Sequence, residues 1–260
     1  MSGLCRDLIL QIMNFLPEED IYSSAFKKYL PDHINQRTSL SPIHNTSDLL
    51  LARRYPKASY SLSIYAADLY SELEPDEYPK VLKLTTSIYI PPFFRNLQSL
   101  NVSHSFLSVL LRLPPELTNL KDLDCSQTLI RDLPVSYVNL IRLDVSHSRV
   151  EQIPEQYTLL EILNVRLTRV ADLSPVFTRL VDLDCANTEV IEIPDTYKKL
   201  RKLDCRMTRV SSIPDTLTNL DWLDCSNSRV DYVSEKIRRL PMKYFKEKAL
   251  YQLNYYLPIT

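Results

Sequence analysis

The sequence predicts an α/β solenoid: a horseshoe with one short parallel strand per turn, a helical cap at its start and a helical, aromatic cap at its end. Three observations predict it. Leucines recur at every twentieth residue, at Leu120, Leu140, Leu160, Leu180, Leu200, Leu220 and Leu240. A fixed period of this size marks a stacked-repeat architecture. Three positions after each of the first six stands Leu123, Leu143, Leu163, Leu183, Leu203 or Leu223, and two further on a small apolar residue, Cys125, Val145, Val165, Cys185, Cys205 or Cys225. That alternation buries one face over a few residues, which is the signature of a strand. Later in most units an Ile-Pro or Leu-Pro step forces an extended turn, because proline fixes φ and has no N–H to donate. No unit can bury its apolar face alone, so the turns must stack.

The unit reads L-x-x-L-x-[CV]-x-x-[TS]-x-[VI]-x-x-[IL]-P-x-x-[YF]-x-x. It resembles a leucine-rich repeat in its short form, with Thr128, Ser148, Thr168, Thr188, Thr208 and Ser228 where that family usually carries asparagine. The resemblance implies a right-handed solenoid. The hydroxyls are expected to be buried and to bond the backbone of the neighbouring turn.

Taken in order, residues 1–48 form the helical N-terminal domain. Leu4, Leu8, Ile9, Ile12, Phe15 and Leu16 recur at helical spacing, Pro17 ends the run, and Glu18-Glu19-Asp20 opens a second helix. The spacing L-x-x-x-L-I-x-x-I-x-x-F-L-P-x-x-D-I resembles an F-box, although Cys5 stands where that motif usually has proline. The alternative is a helical cap that shields the first repeat. Residues 49–96 are irregular first repeats. Ser47 is placed to cap a helix over 48–54; Tyr60, Leu62 and Ile64 alternate, and 81–84 form a second irregular strand. With Arg53-Arg54-Tyr55-Pro56 ahead of it, this order is similar to F-box/leucine-rich-repeat proteins. Regular repeats fill 97–241. Two depart from pattern: Leu173-Ser174-Pro175 delays the proline, and Val233-Ser234 lacks it. Residues 242–260 lose the period and are read as the C-terminal cap, with a helix-forming run at 246–251.

Composition narrows the chemistry. In 260 residues the net charge is −1, so no global field favours nucleic acid or a membrane as partner. No apolar run is long enough to span a bilayer, and Arg6 and Asp7 come too early for a secretory signal, so a cytoplasmic or nuclear setting is expected. The single glycine, Gly3, excludes phosphate loops, dinucleotide fingerprints and nucleophile elbows. Turns with positive φ are expected on Asn or Asp, or avoided through the 17 prolines. Four of the five cysteines share one repeat position that valine also fills, which makes them small core hydrophobes, not metal ligands. No catalytic, metal or cofactor-binding set emerges, and His33, His44, His104 and His147 have no nucleophile beside them in sequence. The chain is expected not to be an enzyme.

The exposed strand positions carry the binding expectation. The central column of the concave face reads Asn101, Asp124, Asp144, Asn164, Asp184, Asp204, Asp224. Strands stack ~4.8 Å apart, so this is a ladder of neighbouring carboxylates. One flanking column reads Asp122, Arg142, Ile162, Asp182, Lys202, Trp222; the other reads Ser126, Ser146, Arg166, Ala186, Arg206, Ser226. Arg142, Arg166, Lys202 and Arg206 are expected to neutralise the ladder in part. The Asp column has two readings, an acid-centred groove or a structural default that bonds backbone N–H groups. Trp222, Ile162 and the arginines are assigned to partner binding, since an exposed aromatic among charges is a typical anchor. Arg149, Arg169, Glu189, Arg209 and Arg229 form a further column expected to make local salt bridges.

The function expected is a protein-interaction module. The F-box resemblance implies that Leu4, Leu8, Ile9, Ile12, Leu16, Asp20 and Ile21 dock a Skp-family adaptor of a cullin-type ubiquitin ligase, with the concave face holding a protein substrate. Bacterial ligases with similar repeats need a large C-terminal catalytic domain, for which there is no room. The alternative is a non-catalytic scaffold. The C-S-x-T flavour of the units is similar to repeat proteins of giant viruses of amoebae, which admits a virion component or a protein of the host cytoplasm.

Overall fold

The computed structural model describes residues 43–44, 49, 59–64, 73–75, 77–86, 90, 92–105, 112–242 and 244–246. The chain divides into two units, Met1–Ser63 and Ile64–Thr260. In the first, strand β1 (Tyr60–Ile64) buries Tyr60 and Leu62. Ile43 is also buried and bridges Leu62 in parallel, its N–H donating to Ser61 O at 2.7 Å. Leu49 is helical and buried. The F-box-like stretch and the rest of the helix expected at 48–54 lie outside the described residues.

The second unit is a parallel β-solenoid with the leucine-rich-repeat architecture. Strands β2 (Val81–Thr86), β3 (Ser99–Asn101), β4 (Asp122–Asp124), β5 (Arg142–Asp144), β6 (Ile162–Asn164), β7 (Asp182–Asp184), β8 (Lys202–Asp204), β9 (Trp222–Asp224) and β10 (Tyr244–Lys246) pair in sequence order, all in parallel. The register runs Leu84, Leu100, Leu123, Leu143, Leu163, Leu183, Leu203, Leu223, Phe245. The repeat anchors become buried columns headed by Leu120, Leu123, Cys125, Ile130 and Tyr137. Each buried leucine or valine contributes roughly 1.5–3 kcal/mol, so the stack is stabilised turn by turn.

The corner after each strand is built by side chains. Asp124 Oδ1 accepts the N–H of Ser126 at 3.0 Å, and the same bond recurs from Asp144 to Ser146, Asp184 to Ala186, Asp204 to Arg206 and Asp224 to Ser226. One residue on, the backbone enters the left-handed region, with φ from 52° to 60° at His104, Gln127, His147, Leu167, Asn187, Met207 and Asn227. The next residue's hydroxyl then donates back to the carbonyl three residues earlier, as from Thr128 to Cys125 O at 2.7 Å and from Thr188 to Cys185 O at 2.6 Å. Two expectations are corrected here. The donors from Thr128, Thr168, Thr188, Thr208 and Ser228 satisfy their own turn, not its neighbour. Positive φ falls on Leu, Met, His and Gln as well as Asn, because capping at both ends of the corner fixes the backbone whatever residue sits between.

Neighbouring turns are tied on the opposite side by the aromatic column. The hydroxyls of Tyr137, Tyr157 and Tyr197 donate at 2.8 Å to Pro114 O, Pro134 O and Ser174 O. Ser174 takes a proline's place here without moving the carbonyl. Where Val233-Ser234 lacks proline, a single helical turn α1 (Glu235–Arg238) forms instead, with Ser234 capping the N–H of Ile237. The expected helical C-terminal cap is corrected at its start: Tyr244–Lys246 is strand β10, paired with β9. Three residues suffice because the bonds are backbone to backbone. Residues 247–260 lie outside the described residues.

Candidate protein-binding face

The strand residues that flank each buried leucine line one face of the sheet. Here the Asp column takes the structural one of its two readings through one carboxylate oxygen. Oδ1 belongs to the corner. The second oxygen faces the ladder, and its partners differ along the stack. Asn101 donates to Asp124 Oδ2 at 3.1 Å, and Asn164 donates to Asp144 Oδ2 at 2.9 Å. Arg206 pairs with Asp204 at 3.0 Å and reaches Asp224 at 3.9 Å, and the Tyr244 hydroxyl donates to Asp224 at 3.4 Å. Among the described residues Asp184 Oδ2 has no such partner.

The flanking cations do less for the ladder than expected. Arg142 pairs with Asp122, and Lys202 with Asp182 at 3.2 Å, both within their own column. Arg166 makes no ion pair among the described residues. Among the described residues only Arg206, of these four cations, reaches the ladder. Asp204 and Asp224 are buried. Burial, then the charge of Asp184, pushes the Asp204 carboxyl up to about 6, against the lowering effect of the Arg206 N–H and guanidinium.

The apolar contributions are Ile162, 38% exposed, and Trp222. Trp222 is half-buried: Tyr244 stacks on it at 4.8 Å between ring centroids and 13° between planes, while Lys202 Nζ lies 5.6 Å from its ring centre. The lone-anchor reading of Trp222 is therefore corrected to a Lys202–Trp222–Tyr244 stack. Sequence reasoning missed Tyr244 because the period is lost there; the signal was its place 22 residues after Trp222, close to one repeat. In the side column, Arg169 pairs with Glu151 at 3.6 Å and Arg209 with Glu189 at 2.9 Å, as expected.

The cysteines hold no chemistry on this face. Cys125, Cys185, Cys205 and Cys225 are buried thiols, and burial pushes those of Cys125, Cys185 and Cys205 well up. Among the described residues no group of three or more His, Cys, Asp or Glu is placed to hold a metal, and no helix is long and apolar enough to cross a membrane.

No family model matches the sequence, and no curated protein does. Solved structures do. The functional domain of InlJ from Listeria monocytogenes, described as including a cysteine ladder, matches at 17% identity with a TM-score of 0.59, over 75% of this chain and 50% of that one. YopM from Yersinia enterocolitica matches at 24% identity and a TM-score of 0.52, over 68% of this chain and 39% of that one. The plant peptide hormone receptor RGFR1, in complex with RGF2, matches at 17% and 0.53, over 81% and 47%. The chain thus spans half or less of the length of these proteins. What they share with it is the fold: the repeats form a leucine-rich-repeat solenoid.

Proposed function

We propose that this chain is a non-catalytic protein-recognition module, and that its sheet face binds a protein partner through basic side chains. One observation carries the reading. The fold uses one oxygen of each ladder aspartate, which leaves a run of second oxygens at Asp184, Asp204 and Asp224 with a single guanidinium among them. Ile162, Arg166 and the Trp222–Tyr244 stack border that run and supply apolar and directional contacts. The plant receptor of this fold is seen in complex with RGF2, which supports recognition of protein ligands.

The finer reading rests on the spacing of Leu8, Ile9, Ile12, Leu16 and Ile21. Residues 1–48 dock a Skp-family adaptor, and the module presents a substrate to a cullin-type ubiquitin ligase in the cytoplasm. A pull-down with a purified Skp-family adaptor tests it. Capture by the wild type and its loss in Leu8→Asp/Ile12→Asp is the expected result. No capture by a folded wild type makes this segment a cap and the chain a scaffold, cellular or viral.

A further inference from the structure

A second surface lies on the far side of the same turns. A groove of about 930 Å³ crosses three successive proline-step segments, at residues 131–135, 151–155 and 172–175. Its floor is Leu133, Ile153 and Leu173, which are 7–8% exposed where the other core columns are almost sealed; Val135, 61% exposed, stands at its rim. Its walls carry four carboxylates (Asp132, Glu151, Glu155, Asp172) against one guanidinium (Arg131). Glu151 is paired with Arg169, and Glu155 accepts from Ser174, but Asp132 and Asp172 make no ion pair among the described residues. Among the described residues none of the N–H groups of 131–133, 151–153 and 171–174 donates a hydrogen bond, as is also true of 191–193 and 211–213. Ser174 adds a donor where Pro134 and Pro154 have none, so the displaced proline opens a polar contact in the groove wall.

We infer that this groove binds an extended, cationic segment of another protein in the polyproline II conformation. The carboxylates select positive charge. The unpaired N–H groups match the carbonyls of a polyproline II chain, which has no internal hydrogen bonds. The spacing agrees. Asp132 and Asp172 lie two turns apart, roughly 9–10 Å at the strand spacing, and a polyproline II chain repeats a face every three residues, or about 9 Å. Basic residues at every third position therefore meet both carboxylates, while the groove floor takes the apolar residues between. This surface is separate from the sheet face proposed above and does not depend on that reading.

The test is fluorescence anisotropy of the full chain with labelled (Lys-Pro-Pro)₃, beside (Glu-Pro-Pro)₃ and an equally charged peptide with lysine at every second position. We expect saturable binding of (Lys-Pro-Pro)₃ only, weakened about tenfold by Asp132→Asn/Asp172→Asn with unchanged thermal unfolding. Asp184→Asn/Asp204→Asn leaves it unchanged. The inference is overturned by equal affinity for the wild type and the groove variant, by equal binding of the mis-spaced peptide, by loss of binding in the sheet-face variant, or by no binding of (Lys-Pro-Pro)₃ to the folded wild type up to about 1 mM.

Discussion

The two ends of the aspartate ladder meet the same problem in different ways. In both, each strand's last residue must supply an acceptor for the corner, and aspartate and asparagine do this equally well. Over β3–β6 the column reads Asn101, Asp124, Asp144, Asn164, and each carboxylate receives an amide N–H from a neighbouring asparagine. Over β7–β9 it reads Asp184, Asp204, Asp224, with no amide in the run and Arg206 shared between the last two. The first arrangement keeps its two charges but gives each carboxylate a neutral amide donor. The second has one cation among three carboxylates and leaves Asp184 Oδ2 without a donor among the described residues. A repeat can thus keep its architecture fixed while one oxygen per turn is left to vary its chemistry.

The largest expected effect comes from removing the shared cation. Arg206→Met leaves Asp204 and Asp224 buried without it and should cost about 2 kcal/mol in urea unfolding at pH 8, while Arg142→Met, whose pair is more exposed, should cost under about 1. Equal costs would erase the contrast between the two ends. The corner hydroxyls should show no such contrast. Thr128→Val and Thr188→Val each orphan a buried carbonyl and should each cost about 1–2 kcal/mol. Unequal values would mean that the corners, not the ladder, distinguish the ends.

Transplanting the amide solution gives a smaller effect with a definite pH dependence. Asp204 keeps its proton in the folded chain up to about pH 6, above the usual carboxylate range. Between those values the folded state binds more protons than the unfolded one, so this group makes stability fall as pH rises from about 4 to about 6, and level off above. Asp204→Asn retains the Arg206 N–H acceptor and removes that slope. It should stabilise by about 1 kcal/mol at pH 8, after allowance for solvent screening, and by little near pH 4. Thermal unfolding across that range reads it directly. Smallest, Leu167→Asn should stabilise by roughly 0.5–1 kcal/mol, since leucine pays for the left-handed corner that asparagine adopts readily.

Much of this was legible in the sequence. The period fixes the register of β4–β9 because every anchor column is set by burial, and burial leaves a strict pattern. The irregular strand at Tyr60, Leu62 and Ile64 was readable by alternation alone. What was hidden depends on atoms the pattern does not distinguish. A conserved polar slot states that a bond is made, not which turn makes it, so the threonine partners were misassigned. Left-handed corners are visible only where glycine or asparagine marks them, and here Leu167 and Met207 do not. Lys202 and Arg142 read as ladder cations because sequence gives columns but not the lateral reach of side chains. Strand β10 was hidden because a strand held by backbone bonds need not repeat the anchors.

The most direct test is the titration of the Asp204 carboxyl by carbon-detected NMR, in the wild type and in Asp184→Asn. Burial, together with the charge of Asp184, predicts a value near 6 in the wild type, moving down when Asp184 loses its charge. An Asp204 that titrates in the ordinary carboxylate range, about 4, in both proteins would contradict the account.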